Sequence, residues 1–142
     1  ELKSEVMEVI NHRLQAKYKA MEENEVRFEM FDCDDADYVI VAFGSSARIC
    51  SATVELARAE GIKLGLLRPI TLYPFPTKPI VELAKRGVKG FMSVELNAGQ
   101  MVEDVKLAVN GMAPVEHYGR QGGMMFTPDE VLNALKKQLI NK

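Results

Sequence analysis

The chain has 142 residues, 47% of them apolar and 27% charged, with a formal net charge of −2. That balance suits one packed soluble domain and excludes a disordered or fibrous chain, and with Lys and Arg never gathered into a patch it leaves no basic field for nucleic acid. No apolar run approaches the roughly 20 residues that cross a bilayer, and the charged start at Glu1 is unlike a signal peptide, so a cytoplasmic protein without membrane contact is expected, compatible with a piece of something longer.

Residues 4 to about 23 place Val6, Ile10, Leu14, Tyr18 and Met21 at spacings of three and four between charges, which predicts an amphipathic helix. Residues 25–30 then alternate strictly and predict a half-exposed edge strand with Val26, Phe28 and Met30 turned inward. The acidic linker of residues 32–37 is too short for a crossover to a parallel neighbour, which takes about a dozen residues, so this strand should run antiparallel to the rest.

A different pattern follows. Residues 38–43 are an uninterrupted apolar strand, Gly44-Ser45-Ser46 a turn, and residues 47–60 a helix closed by Gly61. Residues 64–67 form the second such strand, followed by the proline-rich loop 72–76 and a helix through Val81, Leu83 and Ala84. Residues 91–96 are the third, with a helix over 101–109 stopped at Asn110-Gly111, and residues 115–118 the fourth. The last helix opens on Thr127-Pro128-Asp129-Glu130, a capping box with proline at the first helical position. Apolar strands alternating with helices predict an α/β fold with a mostly parallel sheet, helices on both faces and right-handed crossovers.

In such a sheet the strand-to-helix turns share one edge, where ligands and partners bind. Ser45, Ser46 and Arg48 follow the first parallel strand, Arg68 the second, Glu95, Asn97 and Gln100 the third, and Arg120 the fourth; together they form a candidate interface or anion edge. A plainer role for Ser45 or Ser46, and for Asn97, is to cap the helix that follows. Arg48 fits less well, because a cation near a helix start opposes the dipole, and Glu95 is the carboxylate expected to pair with it. Two apolar loops, one with Tyr73 and Phe75 and one with Met124, Met125 and Phe126, are candidate contact surfaces.

No catalytic, cofactor-binding or metal-ligating residue emerges. A G-x-S-x-G elbow, a Walker loop with its Lys and a G-x-G-x-x-G turn are all missing from the sequence. Cys33 and Cys50 form no CxxC pair, which speaks against a self-contained zinc or iron–sulfur site, and Cys50 lies on a helix's apolar stripe as a small core residue. His12 and His117 have no neighbouring ligand in the sequence and read as surface or edge residues.

Taken in order, VAFGSSARI (41–49), GLLRPITLYPFP (65–76), VELNAGQMVEDVKLAVNG (94–111) and HYGRQGG (117–123) resemble the alpha subunit of the 2-oxoacid:ferredoxin oxidoreductases of the 2-oxoglutarate and 2-ketoisovalerate type, in its transketolase C-terminal-like domain. The resemblance implies a three-layer α/β/α fold around a five-stranded mixed sheet of order 1-3-2-4-5 with the first strand antiparallel. It divides the chain into an N-terminal amphipathic linker helix (1–24) and the transketolase C-terminal-like domain (25–142). The parent enzyme decarboxylates a 2-oxoacid on thiamine diphosphate with magnesium, passes electrons through iron–sulfur clusters to ferredoxin and forms an acyl-CoA. The resemblance implies that this region holds none of those cofactors and serves assembly, with the other domains and subunits as partners and ferredoxin met through the complex. The 97–100 turn is then expected to present polar groups to a neighbouring subunit. A free-standing flavodoxin-like or nucleotide- or CoA-binding regulatory module is the alternative.

Overall fold

The computed structural model describes residues 3–141. In chain order it runs α1 (Ser4–Asn24), β1 (Phe28–Phe31), β2 (Tyr38–Val41), α2 (Gly44–Ala59), β3 (Leu64–Pro69), α3 (Thr77–Arg86), β4 (Gly90–Glu95), α4 (Met101–Val109), β5 (Val115–Gly119) and α5 (Pro128–Leu135), which ends in a π-helical turn over Lys136–Ile140. The five strands form one sheet of order β1-β3-β2-β4-β5. β1 is antiparallel to β3, and the remaining neighbours are parallel, as the short acidic linker requires.

Strand alternation divides the core in two. Ile40, Leu66, Met92 and Val94 meet Ala47, Cys50 and Val54 of α2 and Val131, Leu132 and Leu135 of α5 on one face. Val39, Val41, Leu67 and Phe91 meet Ile80 and Leu83 of α3 and Met101, Val105 and Val109 of α4 on the other. This partition follows from handedness. The step from β2 to β3 and the step from β3 to β4 run in opposite directions along the sheet, so right-handed crossovers place α2 and α3 on opposite faces. The step from β4 to β5 continues outward and leaves α4 beside α3.

Two local expectations are corrected. β1 starts at Phe28 rather than at residue 25, and its apolar side chains are not buried: Phe28, Met30 and Phe31 are exposed, Met30 by 45%. β1 is the outermost strand, and the helices cover the inner strands instead. Glu29, expected to face water, is half-buried and pairs with its register partner Arg68 at 2.8 Å. The second correction concerns α2, which begins at Gly44, only two residues after β2 ends at Val41, rather than at residue 47. Gly44 has φ +57, and the extended Phe43 precedes it without a side-chain cap. A positive φ there suits glycine. Ser45 and Ser46 therefore lie inside the first turn and cap nothing.

α1 is formed as its periodicity predicts, but none of its residues is buried. Tyr18 meets Tyr73 edge-on, with ring centroids 6.3 Å apart. At the other end of the chain the capping box is complete: Thr127 Oγ1 accepts from the Glu130 N–H, and Glu130 Oε2 accepts from the Thr127 N–H at 2.7 Å. Among the described residues no helix is long and apolar enough to cross a membrane. Replacing Thr127 by Ala should lower stability by about 1 kcal/mol, read as a lower urea midpoint with an unchanged slope; an unchanged midpoint would mean that α5 is held by packing alone.

Candidate functional site

At the C-terminal end of β4 a carboxylate closes a helix. Glu95 is 1% exposed, and strand alternation turns it, with Ser93 and Phe91, toward the α3/α4 face. Its Oε1 accepts from the backbone N–H groups of Gln100 at 3.2 Å and Met101 at 2.8 Å, and its Oε2 from that of Val102 at 3.0 Å. Those are opening donors of α4, which have no partner inside the helix. Ser93 Oγ donates to Oε2 at 2.9 Å and Asn97 Nδ2 to Oε1 at 3.3 Å. Burial pushes the Glu95 carboxyl up, but the N–H groups of Met101, Gln100 and Val102 and the Ser93 hydroxyl together outweigh it and hold the group below the ordinary glutamate range.

The loop that carries this arrangement is internally fixed. Asn97 Oδ1 accepts from the Gly99 N–H at 2.7 Å, an Asx-type turn. Asn97 thus braces its own loop and the Glu95 carboxylate rather than capping α4. His117, paired in register with Ser93, brings Nδ1 to 3.4 Å from Glu95 Oε2, and that buried nitrogen has no hydrogen-bond partner. Gly119 closes the other side: a Cβ there would lie 2.3 Å from the Asn97 carbonyl oxygen, 2.8 Å from that of Glu95 and 2.8 Å from His117 Nε2. Any larger residue would push the loop off β5.

The expected Arg48–Glu95 pair does not form. Arg48 rides on α2, on the opposite face of the sheet from the Glu95 carboxylate, which is already saturated by backbone donors. Arg48 is exposed and, among the described residues, has no ion-pair partner; it lines a shallow cleft of about 480 Å³ with Ser45, Ser51, Phe31 and Arg68. Ser46 is buried, Gln100 is exposed, and Arg120 stands at the far edge, paired with Glu130 at 3.2 Å and donating to the Met125 carbonyl oxygen. The polar residues of the strand ends therefore fall into three separate groups: Glu95, Asn97 and the Gln100 backbone; Ser45, Arg48 and Arg68 around the cleft; and Arg120 with Glu130. In the apolar loops, Tyr73 is 57% exposed and Met124 52%, with Met125 alike. Phe75 is half-buried against the α3 side, and Phe126 is buried against Tyr118 with ring centroids 5.8 Å apart, so Phe126 is core and not contact surface.

A sequence profile described as "Pyruvate:ferredoxin oxidoreductase core domain II" matches residues 36–131. The chain belongs to this family. Among similar proteins, the ketoisovalerate oxidoreductase subunit VorB of Methanothermobacter marburgensis is 48% identical over 92% of this chain, and the 2-oxoglutarate synthase subunit KorA of the same organism is 38% identical over 72%. The chain spans 37% of that VorB and 27% of that KorA. The solved 2-oxoglutarate:ferredoxin oxidoreductase of Magnetococcus marinus, with 2-oxoglutarate, coenzyme A and succinyl-CoA bound, superposes on 96% of this chain and 24% of its own at TM-score 0.78 with 21% identity. A split-gene transketolase, an inactive β4 tetramer, superposes on 80% of this chain and 41% of its own at TM-score 0.67 and 21% identity, and so shares the fold.

Within this core domain II the cysteines are placed for packing. Cys33 lies in the α3/α4 half of the core and Cys50 in the α2/α5 half. Burial pushes the Cys33 thiol up to about 11 and the Cys50 thiol up to about 12, so neither is a ready thiolate ligand. His117 is the residue that sequence reasoning missed. Its i, i+2 relation to Gly119 and its strand parity were legible, but the pairing register that sets it beside Ser93 was not.

The Glu95 cap makes stability depend on pH. A carboxyl held below its ordinary value stabilises the fold fully above the ordinary glutamate range, and that contribution is lost as pH falls through that range toward the folded value. Glu95→Gln should cost about 2–3 kcal/mol at neutral pH, because an amide leaves buried N–H donors short of acceptors. It should also flatten part of the acid limb of stability; the Asp35 carboxyl, held low by its hydrogen bond to Arg58, is untouched by the substitution. A wild-type acid limb in the glutamine variant, measured by urea unfolding from neutral pH downward, would contradict this role.

Proposed function

We propose that this chain is a non-catalytic assembly domain of the alpha subunit of a thiamine-diphosphate-dependent 2-oxoacid:ferredoxin oxidoreductase, a linker helix (1–24) followed by a transketolase C-terminal-like domain (25–142), in a cytoplasmic multisubunit complex. The observation that carries the reading is the state of the strand-end carboxylate. In a sheet of this topology that edge is where chemistry is expected, yet Glu95 is committed to the N–H groups of α4 and has no acceptor capacity to offer a substrate. Family membership supports the reaction class, oxidative decarboxylation of a 2-oxoacid to an acyl-CoA with reduction of ferredoxin. The share of the relatives that the chain spans, about a third, supports the view that the reacting groups belong to other parts of the assembly. Thiamine diphosphate, magnesium and the clusters would be held there.

Exposed apolar side chains support the assembly role. Phe28 on β1 and Leu72 and Tyr73 on the loop before α3 are exposed and line one groove, a shared apolar surface of the kind that marks contacts. The isolated chain should show no saturable heat with thiamine diphosphate and magnesium in calorimetry and no visible absorption after attempted cluster reconstitution. It should co-purify with a complex that reduces ferredoxin in the presence of a 2-oxoacid. Saturable thiamine diphosphate binding by the chain alone would overturn the non-catalytic reading, and saturable binding of CoA alone would favour a small-ligand regulatory module.

A further inference from the structure

Between the C-terminal end of α1, strand β1, the 72–76 loop and the start of α3 lies an open groove of about 790 Å³. Its apolar surface is aromatic: Phe28, Tyr73 and Phe75 line it together with Val26 and Leu72. Four carboxylates line the same groove, those of Glu22, Glu23, Glu82 and Asp104, against a single cation, Lys78. All four are exposed, and among the described residues none makes an ion pair or side-chain hydrogen bond. Elsewhere among the described residues some acidic side chains pair with cations, as Glu29 does with Arg68 and Asp37 with Lys89, and others such as Glu55 stand singly in water; what sets the groove apart is that it gathers four carboxylates on one concave surface.

Like charges gathered on one concave surface repel, and aromatic faces left in water forgo burial. One class of occupant relieves both. A lysine or arginine head lies over an aromatic face with a gain of electrostatic energy and can meet carboxylates in the same place. Its aliphatic stem covers apolar surface at the same time. An anionic or purely apolar occupant would leave four carboxylates opposed or desolvated without partners.

We infer that this groove docks a polypeptide segment carrying lysine or arginine side chains beside apolar ones, supplied by another part of the oxidoreductase assembly. The inference rests on the assembly reading above for the source of the segment and on charge complementarity for its chemistry. A second copy of this groove does not fit, since it would set carboxylates against carboxylates. Tyr18 on Tyr73 holds the end of α1 at the groove, so the linker helix forms part of the docking surface.

Carboxylate footprinting of the native complex tests this. Carbodiimide with glycine ethyl ester is used to label the chain alone and the purified assembly. The expected result is strong labelling of Glu22, Glu23, Glu82 and Asp104 in the chain alone and at least about fivefold less in the assembly, with the protection lost at high salt as screening sets in. The charge-reversal variant Glu22→Lys/Glu82→Lys should assemble about tenfold more weakly by native mass spectrometry, a change of about 1.4 kcal/mol. The neutral variant Glu22→Gln/Glu82→Gln should fall between, which separates lost docking from misfolding. An active complex in which the groove carboxylates label as in the chain alone, or in which both variants assemble like wild type, would overturn the groove assignment and leave the assembly reading standing. A chain that joins no ferredoxin-reducing complex would overturn both.

Discussion

The structure turns on a single buried carboxylate meeting the open end of a helix. Glu95 ends the β4 strand with its side chain under the first turn of α4, where backbone donors have no partner within the helix and the dipole favours negative charge. One group thus fixes where the strand stops, where the helix starts and how the five residues between them are folded. Ser93, Asn97, His117 and Gly119 are best understood as parts of that arrangement: two donate to the carboxylate, one stands beside it, and one keeps the space clear for the loop. A fully buried charge is tolerated because it is answered on each oxygen.

The same interaction explains why polar residues at the strand ends do not make a catalytic cluster. Adjacent strands β2 and β4 send their chains to opposite faces of the sheet, so Arg48 on α2 and the Glu95 carboxylate under α4 are separated by the sheet itself. Arg68 is drawn to Glu29 on β1, and Arg120 to Glu130 on α5. Each cation is answered locally except Arg48, and the edge resolves into structural pairs. What the domain leaves unanswered lies elsewhere, on the α1–β1 side, where apolar rings and unpaired carboxylates share a groove. Polar groups at the strand ends are thus mostly answered within the domain, and the carboxylates of the flank are not.

α1 shows the same logic in its simplest form. Its periodicity is that of a core helix, and helical stability in proteins comes mostly from packing of such a face, yet it buries none of its own residues in this domain. Helical propensity and the edge-on contact of Tyr18 with Tyr73 are what this domain supplies to hold it. β1 continues the exposed surface, with Phe28 and Met30 at the outer margin of the α3/α4 face, beyond the strands those helices bury.

Much of this was legible in the amino-acid sequence. Periodicity fixed the order and type of the elements, the six-residue acidic linker determined that β1 runs antiparallel, and the T-P-D-E run gave the complete cap of α5. These are local matters, decided by spacing, chain length and neighbouring groups. The strand order came from the family resemblance, and given that order, handedness alone separates α2 from α4; the Arg48–Glu95 pair could have been rejected on that ground. The cap itself could not have been found so easily, because Glu95 precedes its helix by more residues than a capping box spans. Whether an apolar residue of an edge strand is covered depends on where helices from distant parts of the chain come to rest. Which strand residue stands opposite His117, and which carboxylate meets which donor, depends on register and on packing across the sheet. Those are sums over residues far apart in the chain, and only the tertiary structure decides them.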